Sequence, residues 1–122
     1  MKNIFLKIGS ILGALSVAIG AFGAHAFKAS LIASGKTDTF ETAVRYQFYG
    51  VFALMLVGLL SEKYSNKWSK ISGYLFLIGT LVFSGSLYLI CLTGINLFGA
   101  VAPIGGLCLI VAWIFLYFAV KN

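Results

Sequence analysis

Four apolar runs, each long enough to cross a bilayer, take up most of this chain: Ile8–Phe27, Phe40–Leu60, Ile71–Leu92 and Leu97–Val120. About 20 mostly apolar residues span a hydrocarbon core as a helix. Inside lipid a helix satisfies its own backbone N–H and C=O groups, which an open strand cannot do. The expected architecture is therefore all-α: a polytopic membrane protein, one integral domain over residues 1–122, built as a four-transmembrane-helix bundle. Composition argues the same way. With 61% hydrophobic and 10% charged residues and a mean hydropathy of +1.01, a soluble domain would lack a water-facing shell.

The net charge is +6. In a soluble protein that excess suggests nucleic acid. Here the lysines fall at the ends of the apolar runs, where they meet anionic headgroups and set orientation, so no nucleic-acid partner is expected. Lys2 and Lys7, an apolar stretch and then Ala24-His25-Ala26 imitate a signal peptide with its cleavage site. The uncharged stretch from Ile8 to Phe27 is longer than a usual signal core, which favours a retained first helix. With four spans, Lys2, Lys7, Lys63, Lys67, Lys70 and Lys121 share one side, and Lys28 and Lys36 lie on the other. Positive-inside bias then predicts a multi-pass protein with both termini cytoplasmic. Tyr64, Trp68, Tyr74 and Tyr117 fit an aromatic belt on that inner side.

The segment Lys28–Thr39 is too polar to span. Leu31 and Ile32 suit it to rest on the outer interface, with Ser34-Gly35 as a break. Pro103 either sits in the first turn of the fourth helix or kinks it.

Small residues mark helix contacts. Gly9, Gly13, Ser16, Gly20 and Gly23 recur at spacings of four and three, a continuous seam on one helix face. Ser72, Gly79, Ser86 and Thr93 recur at seven, and Gly105, Cys108 and Ala112 repeat the theme. Lipid is as apolar as Leu, so membrane helices associate by close packing, and small residues permit it. The first seam serves either packing within the bundle or contact with a second subunit. Cys91 and Cys108 read as small buried hydrophobes. No metal-ligand spacing is present and no cofactor is expected.

The strongly polar residues of the spans gather toward the outer side: His25, Glu41, Arg45, Tyr46, Gln47 and Tyr49. At 100° per residue, Asp38, Glu41, Arg45 and Tyr49 share one stripe, while Tyr46, Gln47 and Gly50 turn away from it. Glu41 and Arg45 form an i,i+4 pair in the favourable order. Arg45 lies roughly 7.5 Å inside the apolar run, so it can snorkel and pair with Glu41. The sharper reading makes His25, Glu41 and Arg45 the lining of an outward-facing polar pocket, since an ionisable residue inside a membrane is a functional candidate. His25 would then make such a pocket responsive to protons. Catalysis needs a nucleophile, a base and an orienting group within reach. The single His and the few acids lack an obvious nucleophile, so no enzyme is expected.

Several motifs together carry a resemblance. Gly20-Ala21-Phe22-Gly23-Ala24-His25-Ala26-Phe27 opens the pattern. Phe40, Thr42-Ala43, Tyr46-Gln47-Phe48-Tyr49 and Phe83-Ser84-Gly85-Ser86-Leu87-Tyr88 follow it, then Thr93-Gly94, Pro103-Ile104-Gly105-Gly106 and Trp113. Over essentially its whole length the chain resembles the YgdD/YwdK-like family of small bacterial inner-membrane proteins. The resemblance implies four transmembrane helices, location in the bacterial inner membrane and an unassigned function. Similar proteins commonly carry a His after the Tyr-Gln-x-Tyr motif, where this chain has Gly50. That departure weakens any proton relay on the second helix and leaves room for a packing or ligand-shaping role.

Two functions from different classes fit these residues. One is a non-catalytic membrane protein that binds lipid, a small ligand or a partner membrane protein, itself or another. The other is a small oligomeric transporter or channel with an outward-facing polar site. Four short helices enclose little volume, so a pathway would need more than one subunit. The small multidrug resistance proteins, of similar size, depend on an acid within the first helix. The first acid here is Asp38, beyond it.

Overall fold

A computed structural model describes residues 3–121, and its described residues form helices and turns with no strand. Four helices are long and apolar enough to cross a membrane: Ile4–Ala26, Thr37–Leu60, Lys67–Thr93 and Asn96–Val120. They are called here the first to fourth spans. Each begins earlier than its apolar run, because a helix continues into the headgroup layer for as long as its backbone bonds are capped. Asn66 shows how the third span starts. Its side chain accepts hydrogen bonds from the Trp68 and Ser69 backbone N–H groups, and the Ser69 hydroxyl accepts from the Asn66 N–H, closing a capping box. The capping box places Lys67 and Lys70 inside the helix.

The first span is not a uniform α-helix. Residues Ala18–Gly23 form a π-helical stretch between Ile4–Val17 and Ala24–Ala26. The polar connector folds as a short helix, Lys28–Ser34, with Leu31 buried and Ile32 exposed. Gly35 ends it at φ 68°, a left-handed conformation that glycine adopts without a Cβ penalty. Gly94 does the same at φ 72° after the third span. Pro103 falls in the first turn of the helix Ala102–Val120, where its missing N–H costs nothing, so it starts this helix and does not kink it.

The spans pack in chain order: first on second, second on third, third on fourth. The glycine seam of the first span faces the second. A Cβ on Gly9 would meet Met55, one on Gly13 would meet Val51, one on Gly20 would meet Val44, and one on Gly23 would meet Phe40. The seam is thus occupied within the chain, and its alternative use, reserved for a second subunit, is not what the fold shows. Buried Ser16 closes its hydroxyl onto the Leu12 carbonyl of its own helix.

Between the third and fourth spans the backbones nearly touch. A Cβ on Gly105 would lie 2.8 Å from the Phe83 Cα, and one on Gly79 would lie 3.0 Å from the Gly105 carbonyl oxygen. The Ser72 hydroxyl donates to the Ala112 carbonyl across this contact at 2.7 Å. Ser86 instead bonds the Phe83 carbonyl of its own helix, and Thr93 is exposed. Among them, Ser72 and Gly79 carry the interhelical contact.

The core draws on all four spans: Phe5, Leu54, Val57, Phe76, Ala112 and Leu116. It sits toward the end that carries both termini. There Phe5 lies against Gly73, which has no side chain to displace it, and meets the Tyr74 ring edge-on at 5.1 Å. At the same end the Asn66 side-chain amide donates to the Ala119 carbonyl at 3.1 Å, tying the second loop to the last turn of the fourth span. Lys2, one of the lysines assigned to this end, lies outside the described residues.

Candidate functional site

The second span positions five of the six polar candidates, and its helical register divides them. Asp38, Glu41, Arg45 and Tyr49 are exposed along one stripe. The same exposed line continues through Phe52, Leu56 and Leu59. From Arg45 onward the spacing is 4, 3, 4, 3, the 3.5-residue period of a left-handed coiled-coil seam. Arg45 lies eight residues from Thr37, the start of the helix, or about 12 Å along it.

The expected ion pair between Glu41 and Arg45 is not formed. Among the described residues neither side chain makes an ion pair or a hydrogen bond, and His25, exposed at the end of the first span, makes none either. An exposed i,i+4 pair is worth only about 0.2–0.5 kcal/mol, too little to hold two flexible side chains together. His25, Glu41 and Arg45 therefore do not converge on an enclosed pocket.

The other face of the second span is built into the bundle. Gln47 is buried, and its side-chain carbonyl accepts a hydrogen bond from the Tyr88 hydroxyl of the third span. The Ser84 hydroxyl donates to the Ala43 carbonyl at 2.7 Å. Tyr46 is partly exposed, and its ring contacts Phe83 at 4.8 Å and Tyr49 at 5.3 Å. Gly50 opens no space beside Tyr46. It is buried against Thr80, whose Cβ and Cγ2 would each lie 2.9 Å from a Cβ at position 50. The Thr80 hydroxyl is itself buried without a hydrogen-bond partner.

The six candidates thus divide into an exposed set (His25, Glu41, Arg45, Tyr46, Tyr49) and a buried structural group (Gln47). The sequence reading named Ser84 and Tyr88 only within a motif and did not name Thr80, because their roles depend on which residue of the facing helix lies opposite. At the far loops the Lys36 ammonium donates to the Asn96 side chain at 3.1 Å. Cys91 and Cys108 are free thiols. No group of three or more His, Cys, Asp or Glu residues is placed to hold a metal ion among the described residues.

Two open grooves lie at the terminal end. The larger, about 870 Å³, is lined by the start of the first span, the end of the second and the start of the third, including Phe5, Ser61, Glu62, Ser65, Lys67 and Lys70. The second, about 790 Å³, runs between the loop at Lys63–Asn66 and the end of the fourth span at Phe118 and Lys121. Trp68 borders this groove and packs on Phe115 and Phe118, and the Lys67 ammonium lies 4.9 Å from its ring centroid.

Fold and surface together define a small polytopic membrane protein in which Ser72, Ser84 and the Tyr88–Gln47 pair join helices and Glu41, Arg45 and His25 lie exposed. Comparison with known proteins names its relatives. The chain belongs to the family described as "Protein of unknown function (DUF423)", whose model matches residues 19–106. It is 36% identical over 118 residues to the UPF0382 membrane protein YwdK of Bacillus subtilis, covering 96% of this chain and 95% of that one. It is 38% identical over 116 residues to the UPF0382 membrane protein SH2409 of Staphylococcus haemolyticus, covering 93% and 92%. The UPF0382 inner membrane protein YgdD of Escherichia coli is 30% identical over 112 residues, covering 92% of this chain and 85% of that one. No solved structure matches.

Proposed function

We propose that this chain is a non-catalytic component of the bacterial inner membrane, with both termini cytoplasmic, that works by binding a partner through the exposed stripe of its second span. The partner is a second copy of the same chain. One observation carries the reading: Glu41 and Arg45 stand exposed on a membrane helix, opposite in charge and one turn apart, with no ion pair in their own subunit. Facing lipid, such groups are costly. Facing the same stripe of a second copy, each carboxylate is within one helical turn of the other copy's guanidinium, and a two-fold axis makes that diagonal contact reciprocal. Below the charges the exposed Tyr49, Phe52, Leu56 and Leu59 supply a seam of the right period. The six-to-two split of the lysines supports the orientation.

The test uses single cysteines at Tyr49 and Phe52, in a background where Cys91 and Cys108 are Ala, oxidised in native membranes. Both positions are expected to give a disulfide-linked dimer. Glu41→Arg should abolish the dimer, and Glu41→Arg with Arg45→Glu should restore it. Absence of cross-linking at both positions, or indifference to charge reversal, overturns the reading. Ion or solute flux through proteoliposomes of the purified dimer would instead support the transporter class.

A further inference from the structure

We infer that the groove at the terminal end is a binding site for the phosphodiester headgroup of an anionic membrane lipid. This stands apart from the self-association proposed above, since the groove lies at the other end of the spans. The groove is open, about 870 Å³ in volume, and set where the first span begins, the second ends and the third begins. Its chemistry is that of an amphiphile's neck. Phe5 contributes an apolar wall, Ser61 and Ser65 offer hydroxyls, and Lys67 and Lys70 bring two exposed ammonium groups. Neither ammonium is held in an ion pair among the described residues, although Glu62 lines the same groove. The Lys67 ammonium rests over the Trp68 ring and Lys70 has no ion-pair partner among the described residues; two exposed cations one turn of helix apart, beside an apolar wall, match a phosphodiester headgroup. Glu62 opposes the anion and tunes the site downward. A free phosphate would use the cations but not the wall, which is why the lipid is the ligand of this site.

The experiment measures retention of phosphatidylglycerol against phosphatidylcholine by the full chain in mixed micelles, read by native mass spectrometry. Phosphatidylglycerol should be preferred, and glycerol 3-phosphate should not displace it. A lysine close to an anionic headgroup is worth roughly fivefold in affinity, so Lys67→Gln with Lys70→Gln should weaken binding about thirtyfold. The equal-charge control Lys7→Gln with Lys121→Gln, at the same end but outside the groove lining, should lose less than about threefold. Ser65→Trp fills the groove without changing charge and should abolish the preference, while Glu62→Gln should strengthen binding. Thermal melting without lipid confirms that each variant is folded. Equal losses from the two lysine pairs, or an unaffected Ser65→Trp, reduce the effect to diffuse surface charge and overturn the inference. Displacement by glycerol 3-phosphate overturns the lipid as ligand.

Discussion

Replacing Gly50 by Ala puts a single methyl group into a close contact between the second and third spans. That methyl would collide with the Thr80 Oγ1 and lie 2.9 Å from both its Cβ and Cγ2. Carbon atoms rest at about 3.5–4.0 Å, so the contact must open by roughly 0.6 Å or more. Thr80 is buried and β-branched, with few rotamers to escape into, so the helices themselves must separate. Overpacking of this kind costs about 1–3 kcal/mol, against which Ala gains up to about 1 kcal/mol of helix propensity over Gly. Gly85→Ala isolates the propensity gain, because a Cβ there meets nothing within 4 Å. Equilibrium unfolding in mixed micelles should therefore rank Gly50→Ala below Gly85→Ala by about 1–3 kcal/mol. Thr80→Gly should remove most of that gap, giving a coupling of at least about 1 kcal/mol in the double-mutant cycle. If the two alanine variants agree within about 0.5 kcal/mol, or the cycle shows no coupling, the close approach is not a determinant of stability.

Two further outcomes follow from the same contacts. Ser84→Ala removes the hydrogen bond to the Ala43 carbonyl and should cost about 0.6 kcal/mol, with about 1.7 kcal/mol as a ceiling; the same unfolding titration reads it, and a larger loss would mean that the hydroxyl also positions neighbouring groups. Lys121→Cys should resist a membrane-impermeant maleimide in intact cells and react after permeabilisation if, as proposed, both termini are cytoplasmic; labelling of intact cells would reverse the topology.

The four spans were legible because hydrocarbon thickness is a constraint a single chain must meet by itself. Their ends were less so. Lys67 and Lys70 read as loop residues by hydropathy, yet the Asn66 capping box winds them into the helix, and that signature, Asn66 with Ser69 three residues on, was present in the sequence. The glycine seam identified a contact face of the first span, but not Met55, Val51, Val44 and Phe40 as its counterparts. The polar cluster was legible as a stripe and not as a pocket. Helical periodicity places Glu41, Arg45 and Tyr49 on one face, but which face the bundle buries is decided by the neighbouring spans. The burial of Gly50 against Thr80 and the bond from Tyr88 to Gln47 depend on the register of two helices separated by a loop, which no local pattern encodes.

The bond from Asn66 to the Ala119 carbonyl has a consequence for biogenesis. Neighbouring spans pack in the order in which they are synthesised, so each new helix leaving the insertion machinery finds its partner already in the bilayer. Asn66 breaks that rule of immediacy. Its cap on the third span can close at once, but its amide must wait until the last turn of the fourth span exists. The loop is therefore finished only when translation of the chain is nearly complete, and a nascent chain stalled before Ala119 would present that amide, together with the groove beside it, unclasped to the aqueous side.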